Sequence, residues 1–416
     1  MKLSYIGFEN YKAFKNPQLL NIKPITVIIG KNSSGKSILT RLPLLFAKSL
    51  GRDREEPIQL QFDGIEFGGE FKDLIYNRLE HGSIKVSLGF DDHTRITFEI
   101  QNVSNSPIQF VKNWSVESKD FNLKIELDLH QYKINSVENL IYRSTSEELV
   151  VTFKGVIPIS ISSKAKGRLY ESELNDLAIQ LEELTEKIQY IGPFRAFPDR
   201  IYRYSGSIPN KIGTKGELTS QVLAMSSFID DQLISHVSDW YCTHLGGWRI
   251  DVTKESNSFE VVLVSPEDST VKINIVDAGQ GMSQVLPLIV RCFLNKDFSN
   301  SIEIIEQPEL HLHPAAHGDL AELFALTAKR EGSCFIIETH SENFLLRLRR
   351  LIVQGQLIPE DVIIYWVDDK TRPGSNLREI TIDQMGDLSD WPEGVFSEDH
   401  EEILLIRKAQ LEKLKK

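Results

Sequence analysis

Gly30-Lys31-Asn32-Ser33-Ser34-Gly35-Lys36-Ser37 follows directly on the apolar run Ile25-Thr26-Val27-Ile28-Ile29 and matches the GxxxxGK[ST] phosphate-binding loop without a mismatch. Each part has a physical task. Gly30 and Gly35 let the backbone turn tightly enough for the N–H groups of Lys31, Asn32, Ser33 and Ser34 to point at phosphate oxygens. Lys36 reaches the β and γ phosphates, and Ser37 offers a hydroxyl to Mg²⁺. The apolar residues that follow, Ile38, Leu39, Leu42, Leu44, Leu45 and Phe46, predict a helix whose N-terminus adds its positive end to the anion site. A strand before the loop and a helix after it predict ATP and Mg²⁺ as ligands.

The chain has 416 residues, enough for about two to three compact units. Lys and Arg number 47 against 59 Asp and Glu, so the net charge is −12. Nonspecific coating of nucleic acid by a basic surface is thereby excluded, and contact with DNA or RNA would need a local basic face. Cys242, Cys292 and Cys334 are odd in number and widely spaced, which fits neither a disulfide framework nor a zinc site. The start MKLSYIGFENYKAF lacks the continuous apolar core of a signal peptide, and no run of about eighteen apolar residues occurs. A cytoplasmic protein with no membrane partner is expected.

Along the chain the pattern changes several times. Residues 1–57 read as an N-terminal ATPase lobe carrying the phosphate loop, and 58–170 as a β-rich insertion with alternating segments such as Ser83–Leu88, Arg95–Ile100 and Leu149–Phe153. Residues 171–245 read as a helical and basic-loop segment. In it Leu174, Leu177, Leu181, Leu184 and Ile188 recur at heptad spacing for only about two heptads, which predicts a single packed helix and not a coiled-coil arm. A second helix is expected from Gln221 to His244, with Phe228, Ile229, Leu233, Val237 and Trp240 on one face. Between the helices lie Arg195, Arg200, Arg203, Lys211 and Lys215, which could track nucleic-acid phosphates or could be buried or paired within an irregular loop against an acidic body. Residues 246–368 alternate strands and helices as a C-terminal lobe, and 369–416 form an extension. The fold class is therefore α/β, with a parallel sheet built from both ends of the chain.

Three further segments narrow the chemistry. Ile304-Ile305-Glu306-Gln307-Pro308-Glu309 ends an apolar strand in acidic groups, as a Walker B strand does to hold Mg²⁺ and place the attacking water. Ile336-Ile337-Glu338-Thr339-His340-Ser341 is an apolar strand ending in a histidine. Val276-Asp277-Ala278-Gly279-Gln280-Gly281-Met282-Ser283 is a glycine-rich turn opening a helix, a second anion site. His311 and His313 lie two apart near Glu309, but no third nitrogen or sulfur ligand is near, so a structural turn is the better reading than a metal centre.

Together these motifs resemble the ATP-binding-cassette (ABC-type) ATPases of the SMC-like and RecF-like kind, and more narrowly the ATPase half of OLD-family proteins. The resemblance rests on the N-terminal segment with its phosphate loop, on EQPELHLHP, on ETHS, on Tyr190 to Arg200 and on Trp391-Pro392-Glu393-Gly394-Val395-Phe396, and hardly on the β-rich middle. It implies a homodimer or higher oligomer in which two chains sandwich ATP head to tail. Gly279, Gly281 and Ser283 would then meet the γ-phosphate held by the other chain, His340 would sense the γ-phosphate, and Lys12 would lie near the nucleotide. Glu306 would hold the metal's water shell. The second Walker B position is Gln307, which cannot take a proton near neutral pH, so either hydrolysis is slow or Glu309 serves as base.

The resemblance also implies an ATPase acting as a conformational switch with a separately encoded nuclease or other effector, or with DNA or RNA, including in phage defence or DNA repair. No nuclease is expected in this chain, since only about seventy residues follow His340 where a TOPRIM domain would stand. The alternative function is a nucleotide-loaded scaffold that holds a partner with little hydrolysis. A phosphate-loop kinase would need neither the glycine-rich turn nor the histidine strand.

Overall fold

Strand Ile25–Gly30 is buried along almost its whole length and lies inside a six-stranded sheet. The order across that sheet is Ile188–Ile191, Ile302–Glu306, Cys334–Glu338, Ile25–Gly30, Val362–Asp368 and Asn376–Ile380. The first five strands run parallel and the last is antiparallel to its neighbour. In this computed structural model the described residues are 1–51, 54–103, 108–128, 140–144, 147–163, 165–204, 206–207, 209, 211–228, 232–294, 300–368, 373–391 and 404–410.

Side chains of these strands alternate between two hydrophobic cores. Ile28, Ile304, Ile336 and Tyr365 point into one, while Val27, Ile29, Ile305, Ile337 and Trp366 point into the other. Both faces are covered, which is why Ile25–Gly30, Ile302–Glu306, Cys334–Glu338 and Val362–Asp368 are nearly unbroken apolar runs instead of alternating ones. Helices Gln280–Phe293, Pro314–Glu331 and Glu342–Val353 cover the second core. The first core lies toward a ten-stranded antiparallel sheet.

That larger sheet takes in the alternating segments expected between residues 58 and 170, and Ile96, Phe98 and Ile100 fill its buried face. Leu3–Glu9 and Gln18–Asn21 also belong to it, through pairing of Leu3–Glu9 with Ser83–Phe90. The sheets therefore join strands across the expected division at 57/58. They do the same at 368/369, where Asn376–Ile380 pairs with Val362–Asp368.

Two local expectations change, and a third holds over a shorter span. The helix after the phosphate loop breaks at Arg41 into Lys36–Thr40 and Leu42–Lys48, because Pro43 has no N–H to donate to Leu39. The heptad segment is the single helix Glu171–Glu186, with Leu174, Leu177, Leu181 and Leu184 buried, and Ile188 already begins a strand. The helix expected over 221–244 is two helices, Thr219–Ser226 and Leu233–His244. Phe228 between them is exposed, and Ile229 lies outside the described residues. Among the described residues no helix is long and apolar enough to cross a membrane.

Candidate functional site

Parallel register brings the motifs to one edge. Glu306 pairs in register with Glu338, and Glu338 with Ile28, so the two carboxylates and the phosphate loop share the carboxyl end of the sheet, where α/β folds bind ligands. Gly30 (φ +156°) and Gly35 (φ +108°) take backbone conformations that side chains with a Cβ rarely adopt. A Cβ on Gly30 would also lie 3.0 Å from Ser34 Oγ and 3.1 Å from the Val367 carbonyl oxygen. The loop is braced from outside by Ser375, whose hydroxyl donates to the Ser34 carbonyl at 3.0 Å.

Lys36 is buried, and its Nζ donates to the Lys31 carbonyl at 2.6 Å. Burial lowers its pKa, partly opposed by the Glu338 carboxylate. Ser37 hydrogen-bonds to Glu338, and Thr40 Oγ1 lies 3.4 Å from the same carboxylate. Burial is the largest cause raising the pKa of Glu338, followed by the charge of neighbouring Glu306.

Glu306 has a different partner. Its two oxygens accept from Arg41 Nε at 2.6 Å and Nη2 at 2.7 Å, a bidentate pair. Arg41 also lies over the Tyr190 ring, 5.7 Å from its centroid. The carboxylate beside Ser37 is thus Glu338, which sequence reasoning passed over in favour of the acidic strand. The available signal was the ending of both strands in Glu at the same register. Oxygen donors from a hydroxyl and buried carboxylates suit a hard cation such as Mg²⁺.

Gln307 adopts a left-handed backbone (φ +45°), and its N–H donates to the Glu338 carbonyl at 2.8 Å. Glu309 Oε1 accepts from the His340 N–H at 2.6 Å. His340 is exposed, and burial of part of its ring together with the Lys36 charge lowers its pKa. His313 caps helix Pro314–Glu331 by accepting from Ala315 N–H at 3.3 Å. Among the described residues no three His, Cys, Asp or Glu side chains cluster as a metal site.

The glycine-rich turn stands on other elements. Gly279 caps helix Gln280–Phe293, and a Cβ there would meet nothing within 4 Å. A Cβ on Gly281 would lie 2.7 Å from the His311 carbonyl oxygen, so the close packing of this helix on the turn after Glu309 requires glycine. Ser283 Oγ donates to the Gln280 carbonyl at 3.1 Å in the first turn. Lys12, with a left-handed backbone, donates its amine to the Phe67 carbonyl, while the neighbouring Ala13 and Phe14 pack at 3.5 Å from the Cβ position of Gly35.

Two members of the basic cluster are engaged within the protein. Arg195 is only 4% exposed and donates to the carbonyls of Glu306 at 3.2 Å and Gln307 at 3.0 Å. Burial pulls its pKa down to about 10 against the opposing charge of Glu309. Arg200 is paired with both oxygens of Asp277, at 2.8 and 2.5 Å. Arg203, Lys211 and Lys215 remain exposed.

Similar folds among solved structures include the SmcHead bound to the C-winged helix domain of ScpA, at 13% identity, covering 92% of this chain and 98% of that one with a TM-score of 0.47. The SMC head domain from Thermotoga maritima matches at 12% identity, 91% and 98% coverage and a TM-score of 0.41. The Smc head domain with an extended coiled coil bound to the C-terminal domain of ScpA, derived from Pyrococcus furiosus, matches at 12% identity, full coverage of both chains (100% and 100%) and a TM-score of 0.45. No curated protein of similar sequence was found. The sequence model of the AAA ATPase domain matches residues 1–191 and 162–345. With the phosphate loop and both acidic strands, the second leading into His340, inside those limits, the chain belongs to the AAA ATPase domain family.

Proposed function

We propose that this chain binds Mg·ATP at the Gly30–Ser37 loop and works as a dimerising ATPase of the ABC type, a conformational switch for a separate effector or nucleic acid. The observation that carries the reading is the convergence of Lys36, Ser37, Glu338 and Glu306 at one sheet edge. Ser37 and Glu338, with Glu306 behind them, would hold Mg²⁺, which when bound neutralises the charge developing on the phosphate oxygens. Lys36 would bind the β and γ phosphates, and His340, exposed at the strand end, would donate a ring N–H to the γ-phosphate. Glu309, fixed by the His340 N–H, would take the proton from water.

Dimerisation is supported by what lies near the glycine-rich turn. Phe194 and Phe197 are 78% and 75% exposed on the segment that leads to Arg200, the partner of Asp277. Gly279, with open space at its Cβ position, could approach a second chain's nucleotide. Replacing both phenylalanines by serine is expected to weaken ATP-dependent self-association at least about tenfold while nucleotide binding holds. Sedimentation with and without ATP checks this, and unchanged association refutes the role of the patch.

The scaffold reading rests on Gln307, whose amide cannot accept a proton. Phosphate-release assays of the wild type beside Gln307→Glu and Glu309→Gln distinguish the two. For a switch driven by hydrolysis, Glu309→Gln should cut turnover about 30-fold and Gln307→Glu raise it about tenfold. A wild type that binds ATP without turnover would leave the scaffold as the better account.

A further inference from the structure

Arg195 presents a buried cation that no motif accounts for. It follows strand Ile188–Ile191 through Gly192-Pro193-Phe194, and its exposed neighbour Phe194 contrasts with its own 4% exposure. One nitrogen, Nη2, is spent on the carbonyls of Glu306 and Gln307. Nε and Nη1 are buried with no hydrogen-bond partner, and so is Oε2 of Glu309. Unmade hydrogen bonds on buried charged groups are costly, so a cation kept here answers to its surroundings, and among them the charge of Glu309 acts on it.

We propose that Arg195 is a positioning residue for hydrolysis: it clamps the left-handed turn at Gln307 through two carbonyls and sets its buried positive charge to act on the carboxylate of Glu309. This rests on the ATPase reading above. Gln307 at φ +45° is a strained position for a residue with a side chain, and the Arg195 clamp spans the carbonyls on both sides of its N–Cα–C unit. Glu309 is held on one oxygen by the His340 N–H, and the charge of Arg195 acts on the same carboxylate. In the step served, water oxygen bonds to the γ-phosphorus, the bond to the bridging oxygen breaks with its electron pair leaving on ADP, and the water's proton passes to Glu309.

The test is a kinetic double-mutant cycle on the full chain, using ATP binding, single-turnover phosphate release and thermal melting. Arg195→Lys keeps a cation for the carbonyls but lacks the two further donors. It is expected to melt close to the wild type, bind ATP within about threefold, and lose about tenfold in turnover. Arg195→Gln should lose about 30-fold, and adding Glu309→Gln to it should cost little more, because both act through one element. Wild-type turnover in Arg195→Lys, or losses that multiply in the double variant, overturn the assignment and leave a purely structural arginine. A wild type that binds ATP and hydrolyses none overturns the ATPase reading first, and the two failures are thereby told apart.

Discussion

Lys36→Ala should lower ATP affinity by about 10²–10³-fold, the equivalent of roughly 3–4 kcal/mol and thus one to two charge-assisted hydrogen bonds to phosphate. The amine is already placed for the task. Lys36 is the first residue of helix Lys36–Thr40, directly after the left-handed Gly35, and is 5% exposed. Its Nζ rests on the Lys31 carbonyl within the same loop, so binding exchanges one neutral acceptor for charged ones. Fold stability should change much less than affinity. Burial disfavours the charged amine, so its removal relieves desolvation while opening a small void and depriving Glu338 of a neighbouring cation. Titration with a fluorescent ATP analogue, run beside thermal melts, measures both. Undiminished binding in a folded variant would move the nucleotide away from this loop altogether.

How much of this was legible follows from which forces are local. The phosphate loop is a local object: its glycines, lysine and serine sit within eight positions, and both the flanking strand and the first turn of helix stand where expected. The parallel sheet was legible because burial on both faces forces unbroken apolar runs at Ile302–Glu306, Cys334–Glu338 and Val362–Asp368. What sequence reasoning missed is set by register between distant segments. Nothing local says that Glu338 stands beside Ser37 or that Arg41 would occupy both oxygens of Glu306. For Arg195 the sequence left phosphate contact and a buried or paired arginine both open, and only the fold turns it inward onto the Glu306–Gln307 carbonyls. The broken helix was readable from Pro43, but the amphipathic run through Leu44 to Phe46 masked it. Leu3–Glu9 gave no sign of which sheet it would join, since its alternation suits either.

Glu338→Gln is expected to separate stability from activity: the nucleotide-free protein should melt about 2 °C higher, for roughly 1 kcal/mol of relief, while hydrolysis falls about 100-fold, or about 2.7 kcal/mol of transition-state stabilisation. The gain comes from removing a buried charge set beside Glu306 in parallel register, because like charges at close range and burial both oppose ionisation. Glutamine is nearly isosteric and keeps acceptors for Ser37 and Thr40. The sign with pH follows from linkage. Glu338's folded pKa lies above its ordinary 4.5, so the wild type carries no penalty from this group below that value and loses stability as pH rises through the folded pKa. The melting difference between variant and wild type should therefore open as pH rises above 4.5 and then level off. Mg·ATP should reverse the ranking, since a cation at Ser37 turns the repelled carboxylate into a ligand or hydrogen-bond partner of its water shell. Melting curves across pH, with and without Mg·ATP, test both halves. A variant that is less stable at every pH would show that Glu338 is held by favourable charge pairing, and a variant with undiminished hydrolysis would return the metal's carboxylate to Glu306.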